Sequence, residues 1–253
     1  MAFGLFILQS YPQNNLCPQW EVISDGDDWD VVSDMKKDAR GNIYVTGNFT
    51  ASTGFGPNTD KLTGDNSAFV AKFTGDGENI WMRKISSTGF CHTTSICCTG
   101  AGQVYICGNF NGEMELGGQT LKSENFKSTF VAGLNNDGDI TWANLLQGVT
   151  ANEKLFLTTG IDDNLVLGAS FTGDLKLHNT ACNKSKHTIG IVVAKFGAGG
   201  DIVATKALNG SGDCIINNMA VNNKNEVLIT GSFAKSIDVN GLKVLSPYRC
   251  FPH

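Results

Sequence analysis

Short runs in which side chains alternate between two faces recur along the whole chain. The clearest run covers residues 103–110, where Val104 and Ile106 alternate with Tyr105 and Cys107. A period of two residues is typical of a β-strand, because successive side chains of a strand point to opposite faces. No segment shows the 3.6-residue period of an amphipathic helix. The pattern therefore predicts an all-β protein.

One strand pattern occurs four times at a nearly constant spacing. Each copy ends in a phenylalanine, and these residues are Phe49, Phe110, Phe171 and Phe233. The first two intervals between them are equal, and the last is longer by a single position. Self-similarity at a period of about 61 residues indicates a repeat architecture, in which like units share one assembly.

Each repeat contains several short strand patterns in the same order. In the second repeat they fall at residues 94–98, 103–110, 129–134 and 139–146. The last two are joined by a turn at residues 136–138, whose Asn and Gly accept the positive φ of a tight hairpin. Four antiparallel strands per period, without a helix, are typical of a blade of a β-propeller.

Four motifs connect these repeats to a known family. They are GNIYVTG at residues 41–47, AFVAKF at 68–73, GGQTL at 117–121 and DGDITW at 137–142. Together they resemble the SBBP-type β-propeller repeat of bacterial proteins, and the resemblance spans nearly the whole chain. It implies a propeller and no fixed activity. The third repeat departs from the pattern, with Gly168 and Ala169 in place of Thr-Gly.

The fourth repeat ends before any third strand, and the N-terminus offers segments that match the missing ones. Residues 2–6 resemble residues 68–73, and Trp20 precedes Trp81 by the same interval that separates Trp81 from Trp142. We therefore expect residues 2–8 and 19–24 to complete the last blade, because a closed ring leaves no free sheet edge. The alternative is an open four-unit fragment that pairs with a second chain.

The predicted fold is a single four-bladed β-propeller domain that spans residues 1–253. Its blades are expected at about residues 30–86, 91–147, 152–208, and 213–253 together with 2–24. The fourth strands carry Trp81 and Trp142, and continuing the count at the same interval places Val203 at this position in the third blade.

Composition and charge exclude several functions. The net charge of −5 argues against a nucleic-acid partner and gives no attraction to anionic membranes. No apolar run approaches the ~18 residues of a membrane-spanning helix. Because residue 2 is expected in a strand and the N-terminus lacks a basic segment, we expect no cleaved signal peptide. The expected location is the cytoplasm or a particle assembled there, such as a phage, virion or injection system.

The chemistry-bearing residues give no catalytic or metal motif. The eight cysteines show no zinc-type pairs, and we expect mostly free, buried thiols. Asp25, Asp27 and Asp28 form an acidic cluster that the other repeats do not keep, which favours a solvated turn over a calcium site. No nucleophile elbow or phosphate-binding glycine motif occurs. We expect no catalytic residue, metal or cofactor.

The predicted binding face carries the entry to each first strand and the long loops between second and third strands. These loops cover about residues 50–67, 111–128, 172–189 and 234–250. Trp29 and Phe90 hold equivalent positions on this face, near the axis, and His92 is close by in sequence. The two rings either stack on a sugar or a peptide side chain or cap the blade packing.

These observations favour a non-enzymatic protein-interaction or structural module that docks on other proteins of a larger particle or surface assembly. A lectin-like propeller, with a glycan held at Trp29, Phe90 or between blades, is the first alternative. A hydrolase or lyase with a site at the axis is the last alternative, and it would need His92 and carboxylates to converge at the channel mouth.

Overall fold

The computed structural model describes residues 4–10, 16–24, 26, 28–55, 61–123, 126–146, 155–177, 180–183, 188–239 and 241–246. Within these ranges the chain forms 24 β-strands, arranged in antiparallel sheets, and no helix. The prediction of an all-β protein is confirmed. Among these residues there is no helix with the length and apolar character that crossing a bilayer requires.

The first strands form a separate hairpin. Strand β1 (Gly4–Ser10) pairs with β2 (Leu16–Ile23). The strands were expected at residues 2–8 and 19–24, so the hairpin itself is confirmed with shifted bounds. Leu8, not Phe6, holds the position of Phe73, because the bulge after Ile7 matches the bulge before Phe73.

Three units of four strands follow, each strand pairing with the next one in its unit. The first unit consists of β3 (Asp30–Lys37), β4 (Ile43–Phe49), β7 (Ser67–Phe73) and β8 (Asn79–Ile85). The second consists of β9 (Cys91–Cys98), β10 (Val104–Phe110), β13 (Ser128–Leu134) and β14 (Ile140–Leu146). The third consists of β15 (Phe156–Thr159), β16 (Leu165–Thr172), β19 (Ile189–Phe196) and β20 (Ile202–Gly210).

A fourth unit contains two strands, β21 (Cys214–Val221) and β22 (Val227–Phe233). Every unit also has a small hairpin in the loop after its second strand. These loop hairpins are β5–β6 (Ser52–Thr53, Leu62–Thr63), β11–β12 (Glu113–Leu116, Gln119–Lys122), β17–β18 (Asp174–Leu177, Thr180–Asn183) and β23–β24 (Ser236–Val239, Leu242–Leu245). The last hairpin extends the third sheet, because β23 pairs with the end of β20.

Three of the four middle strands of the first two units are buried along their whole length. All seven residues of β7, β10 and β13 are buried. Neighbouring units supply the covering residues, since Tyr44 belongs to the same core cluster as Phe130, and Tyr105 to the same cluster as Phe196. The units therefore share their cores with their neighbours, as stacked repeats do.

In each of the first two units, a tryptophan on the fourth strand links the unit to a turn of the next one. The indole Nε1 of Trp81 donates to the Asn136 carbonyl at 3.0 Å, and that of Trp142 donates to the Ala198 carbonyl at 3.0 Å. Each ring also lies over a turn glycine. A Cβ added to Gly138 would lie 2.8 Å from the Trp81 ring, and its φ of +83° also suits glycine.

The N-terminal hairpin makes the same contact with the first unit. Trp20 Nε1 donates to the Gly75 carbonyl at 2.8 Å, in the turn between β7 and β8. A bridge between Ser24 and Phe55 joins the end of β2 to the loop hairpin region of the first unit. The hairpin thus lies against the first unit as the first unit lies against the second.

The register of the outer strands shows which residue of the third unit holds the tryptophan position of the fourth strand. Trp81 pairs with Lys72, and Trp142 pairs with Gly133. In the third unit the equivalent pair is Lys195 with Ala204, so the expectation that Val203 holds the tryptophan position is wrong.

The cause of this shift is a single inserted residue in the loop of the third unit. In the second unit the loop runs from Phe110 to its strand partner Ser128, and in the third it runs from Phe171 to its partner Gly190. The third loop is therefore longer by one position, and every later residue of that unit moves by the same amount.

The predicted pairing that would close the ring is not among the described strand pairs. Strand β1 pairs with β2, and β22 pairs with β21. Closure of four blades into a propeller therefore stays a prediction.

Candidate functional site

The first strands of all four units surround a single cavity of about 690 Å³, called here the axial cavity. One structurally equivalent residue from each unit lines it. These residues are Asp34, Ser95, Phe156 and Asn218. The repeat spacing of the sequence thus places four different side chains at one position around a common centre.

The two halves of the axial cavity differ in character. The first two units contribute polar residues: Ser33, Asp34, Lys36, Thr94, Ser95, Asn109 and Lys127. The last two contribute a mostly apolar wall that includes Leu155, Phe156, Leu157, Met219 and Val221. A concave site with an apolar wall and a few polar groups is typical of small-molecule binding sites.

Asp34 connects the first strands of neighbouring units. Its Oδ2 accepts hydrogen bonds from Ser95 Oγ at 3.0 Å and from the Ile96 amide at 3.1 Å. Ser95 Oγ in turn accepts from the Leu157 amide at 3.2 Å. Lys36 Nζ lies 3.0 Å from Asp34 Oδ1. The carboxylate therefore serves the contact between units and is already balanced by a cation.

The backbone confirms that Trp29 and Phe90 are equivalent positions. The Trp29 carbonyl accepts from the Thr50 amide at 3.0 Å, and the Phe90 carbonyl accepts from the Asn111 amide at 2.9 Å. In the fourth unit the same bond joins Asp213 and Ala234. Each residue lies at the entry to a first strand, on the side of the loop hairpins, which we call the loop face.

Phe90, His92 and Phe126 form an aromatic cluster on the loop face. The ring centroids of Phe90 and His92 are 5.3 Å apart, and those of Phe90 and Phe126 are 6.1 Å apart. The Phe126 side chain is 83% exposed. Its position is fixed locally, because its carbonyl accepts from Asn111 Nδ2 at 2.7 Å.

The structure brings two of the three predicted site residues together. Phe90 and His92 are in contact, whereas no ring contact joins Trp29 to either of them in the described part of the chain. Trp29 is 60% exposed, so it does not cap the blade packing. Phe126 was missed because it lies in a polar loop without a strand pattern. Its only sequence signal is a lone aromatic residue among polar neighbours.

Burial lowers the pKa of His92, and the nearby charge of Lys127 lowers it further. Burial also lowers the pKa of Lys127. His92 is therefore mostly neutral at pH 7, with one ring nitrogen as a donor and the other as an acceptor. Its described neighbours are an aromatic ring and an ammonium group, which suit binding better than acid–base catalysis.

The loops on this face are partly structural. Short strands lie around residues 114–116 and 237–239, within β11 and β23. Met114, Leu116 and Leu121 are buried in the core cluster of the second unit. The second loop hairpin therefore covers the core, and the loop that follows it carries Phe126 of the aromatic cluster.

Cys91, Cys97, Cys98 and Cys107 are free thiols, as expected for most of the cysteines. Cys91, Cys97, Cys107 and Cys214 are buried, and Cys98 is half-buried. Burial raises the pKa of the Cys107 thiol to about 12 and that of Cys98 to about 11, which suppresses the reactive thiolate. Among the described residues no group of three potential ligands is placed to hold a metal ion. Asp25 and Asp27 lie outside the described residues.

In comparisons with known proteins, no family model matches this sequence, and no curated protein is significantly similar to it.

Proposed function

We propose that this chain is a non-enzymatic interaction module: a four-bladed propeller of SBBP-like repeats that docks on other proteins of a larger assembly through its loop face. The observation that carries the proposal is the aromatic cluster of Phe90, His92 and Phe126, in which Phe90 is half-buried and His92 and Phe126 are exposed. It is held on a sheet scaffold whose middle strands are fully buried.

Closure of the ring is supported by an apolar groove next to β22, called here the seam groove. Its volume is about 510 Å³. It is lined by residues of the third and fourth units: Ile191, Val193, Lys206, Leu208, Val227, Ile229, Gly231, Ser232, Phe233, Ile237 and Val239. Val227 and Leu228 are 39% and 53% exposed on a strand that pairs along one edge only among the described residues. Unpaired apolar edges are liabilities that proteins usually cover.

The β1–β2 hairpin has the form of the missing outer strands. Its bulge after Ile7 matches the bulges after Lys72, Gly133 and Lys195, one in each complete unit. Trp20 already contacts the first unit as Trp81 contacts the second. Pairing of β1 with β22 would cover the seam groove with the apolar segment of residues 3–8 and complete a fourth blade.

The aromatic cluster has the properties of a binding hot spot. Exposed aromatic rings on a rigid base supply large contact areas at low entropic cost, and such residues often contribute more than about 2 kcal/mol each to binding. Phe126 is exposed although its backbone is anchored, so its exposure does not stabilise the fold. A partner that covers the ring would explain its presence.

We expect Phe126→Ser to abolish partner binding without affecting folding. Surface substitutions of this kind change the free energy of unfolding by no more than about 0.5 kcal/mol. The measurement is affinity purification of tagged chain from its native source, with quantification of each co-purifying protein. Ile161→Ser is the matched control, because Ile161 is 68% exposed in the turn between β15 and β16, away from the loop face. Equal recovery with both variants would contradict the proposal.

Trp29 supports a lectin-like function as the second candidate. Its indole is 60% exposed near the entry to β3, where a flat ring can stack on a sugar. A glycan array that shows a ligand lost with Trp29→Ala, and kept with Phe126→Ser, would favour this function. A hydrolase or lyase at the axis is less supported, because Asp34 is bound to Lys36 and Ser95.

A further inference from the structure

Lys127 is a partly buried cation at the loop-face end of the axial cavity. It lines the cavity and directly precedes β13. No hydrogen bond or ion pair joins its ammonium group to any other described residue. Burial lowers its pKa, with no described anion nearby to offset the effect. A desolvated ammonium without a counter-ion is costly, so this end of the cavity favours an anion.

A second polar group lies on the same side of the cavity. Asn109 is only 3% exposed, and its Oδ1 accepts from Thr129 Oγ1 at 3.0 Å. This bond fixes the amide so that its NH₂ group remains as a donor. A lysine and an amide donor at one end of a cavity form a suitable pair for a carboxylate, sulfonate or phosphate.

Asp34 also lines the cavity, but its carboxylate does not neutralise the ammonium group of Lys127. Asp34 lies in the middle of its strand, and its two oxygens are engaged by Lys36, Ser95 and the Ile96 amide. The opposite wall is apolar, with Phe156, Leu157 and Met219 facing the same volume. At about 690 Å³ the cavity lies within the range of small-molecule sites, which is roughly 300–1,000 Å³.

We propose that the axial cavity binds a small organic anion with an apolar body, whose anionic group contacts Lys127 and Asn109 and whose body packs against Phe156 and Met219. The site differs from the aromatic cluster, because none of Phe90, His92 and Phe126 lines the cavity. It also does not depend on ring closure, since all four first strands already line the cavity.

The test is a fluorescence titration of the full chain with 8-anilinonaphthalene-1-sulfonate, a sulfonate with an aromatic body. We expect Lys127→Met to weaken binding by about tenfold or more, since a charge-assisted hydrogen bond is lost. Lys127→Arg should retain most of the affinity. Lys206→Met is the matched control, because Lys206 is a lysine that lines a second cavity with an apolar wall, the seam groove.

A filling variant tests the location independently of charge. Ala220 lines the axial cavity and is exposed, so Ala220→Trp adds volume without removing a described bond. We expect it to abolish dye binding while the circular dichroism spectrum and unfolding midpoint stay unchanged. Loss of binding with Lys206→Met instead of Lys127→Met, equal binding by all variants, or no binding by the wild-type chain would each overturn the proposal.

Discussion

Replacing Trp142 with alanine is expected to lower the free energy of unfolding by about 3–5 kcal/mol, the usual cost of truncating a buried tryptophan. The side chain is only 6% exposed. Its ring stacks on Phe196 with a centroid distance of 6.2 Å and contacts Tyr105 at 5.9 Å. Because Phe196 belongs to the third unit and Tyr105 to the second, the substitution removes packing from both sides of a junction between units.

Two further variants separate the contributions at this site. Trp142→Phe keeps most of the ring but removes the hydrogen bond to the Ala198 carbonyl, and should cost about 1 kcal/mol beyond the lost volume. Val203→Ala is the control, since Val203 is 48% exposed at the bulge of the third unit and should change stability by less than about 0.5 kcal/mol. Chemical denaturation measures all three. A loss below about 1 kcal/mol for Trp142→Ala would contradict the shared core, given the usual cost of such a truncation.

The second large effect is expected for Gly108→Ala. A Cβ at this position would overlap the His92 carbonyl oxygen and would lie 2.8 Å from Thr93 Cα. Both are backbone atoms of β9, held by the ladder with β10, so relief requires the two strands to separate. We expect a loss of about 3 kcal/mol, at the upper end of the range for overpacking.

Gly100→Ala is the control for this substitution, since the nearest atom to its added Cβ is 3.8 Å away. It should leave the free energy of unfolding nearly unchanged, as measured by the same denaturation experiment. Gly47 and Gly231 share the constraint of Gly108, because a Cβ at either would overlap the carbonyl of Val31 or Ile215. An equal effect of Gly100→Ala and Gly108→Ala would show that the close approach of the strands is not the cause.

The same geometry bears on one departure from the repeat motif. The third unit carries Ala169 where the other units carry glycine. In the third unit β15 begins only at Phe156. Residue 153, which the repeat count makes equivalent to Val31 and His92, lies outside the described residues. Ala169 is itself fully buried, on a strand whose first-strand partner β15 has no bulge. The motif glycine is therefore a packing requirement of the bulged first strand.

The sequence predicted the strands well because their signals are local. Alternation and turn residues placed the second and third strands of the second unit at residues 103–110 and 129–134, against Val104–Phe110 and Ser128–Leu134 in the structure. The equivalence of Trp29 and Phe90 followed from counting residues. Counting at a constant interval failed at Val203, because the longer interval between Phe171 and Phe233 shows an inserted residue but not where in the unit it lies.

The candidate sites were harder to predict because they depend on contacts between units. Nothing in the sequence near Ser95 indicates that its hydroxyl joins Asp34 to the Leu157 amide, since both lie a full repeat away along the chain. Phe126 and Lys127 are adjacent in a polar loop, yet one contributes to the aromatic cluster and the other to the axial cavity. Such roles follow from the arrangement of sheets and not from any local pattern.

Ring closure is the central claim, and amide hydrogen exchange along β22 tests it most directly. Strand β10 lies between two partners and provides the reference for a fully paired second strand. If β1 pairs with β22, every amide of Val227–Phe233 should exchange as slowly as those of β10 at all chain concentrations, and deletion of residues 1–24 should remove half of this protection. If every second amide of β22 exchanges rapidly in the intact chain, or if protection appears only at high concentration, the chain does not close on itself.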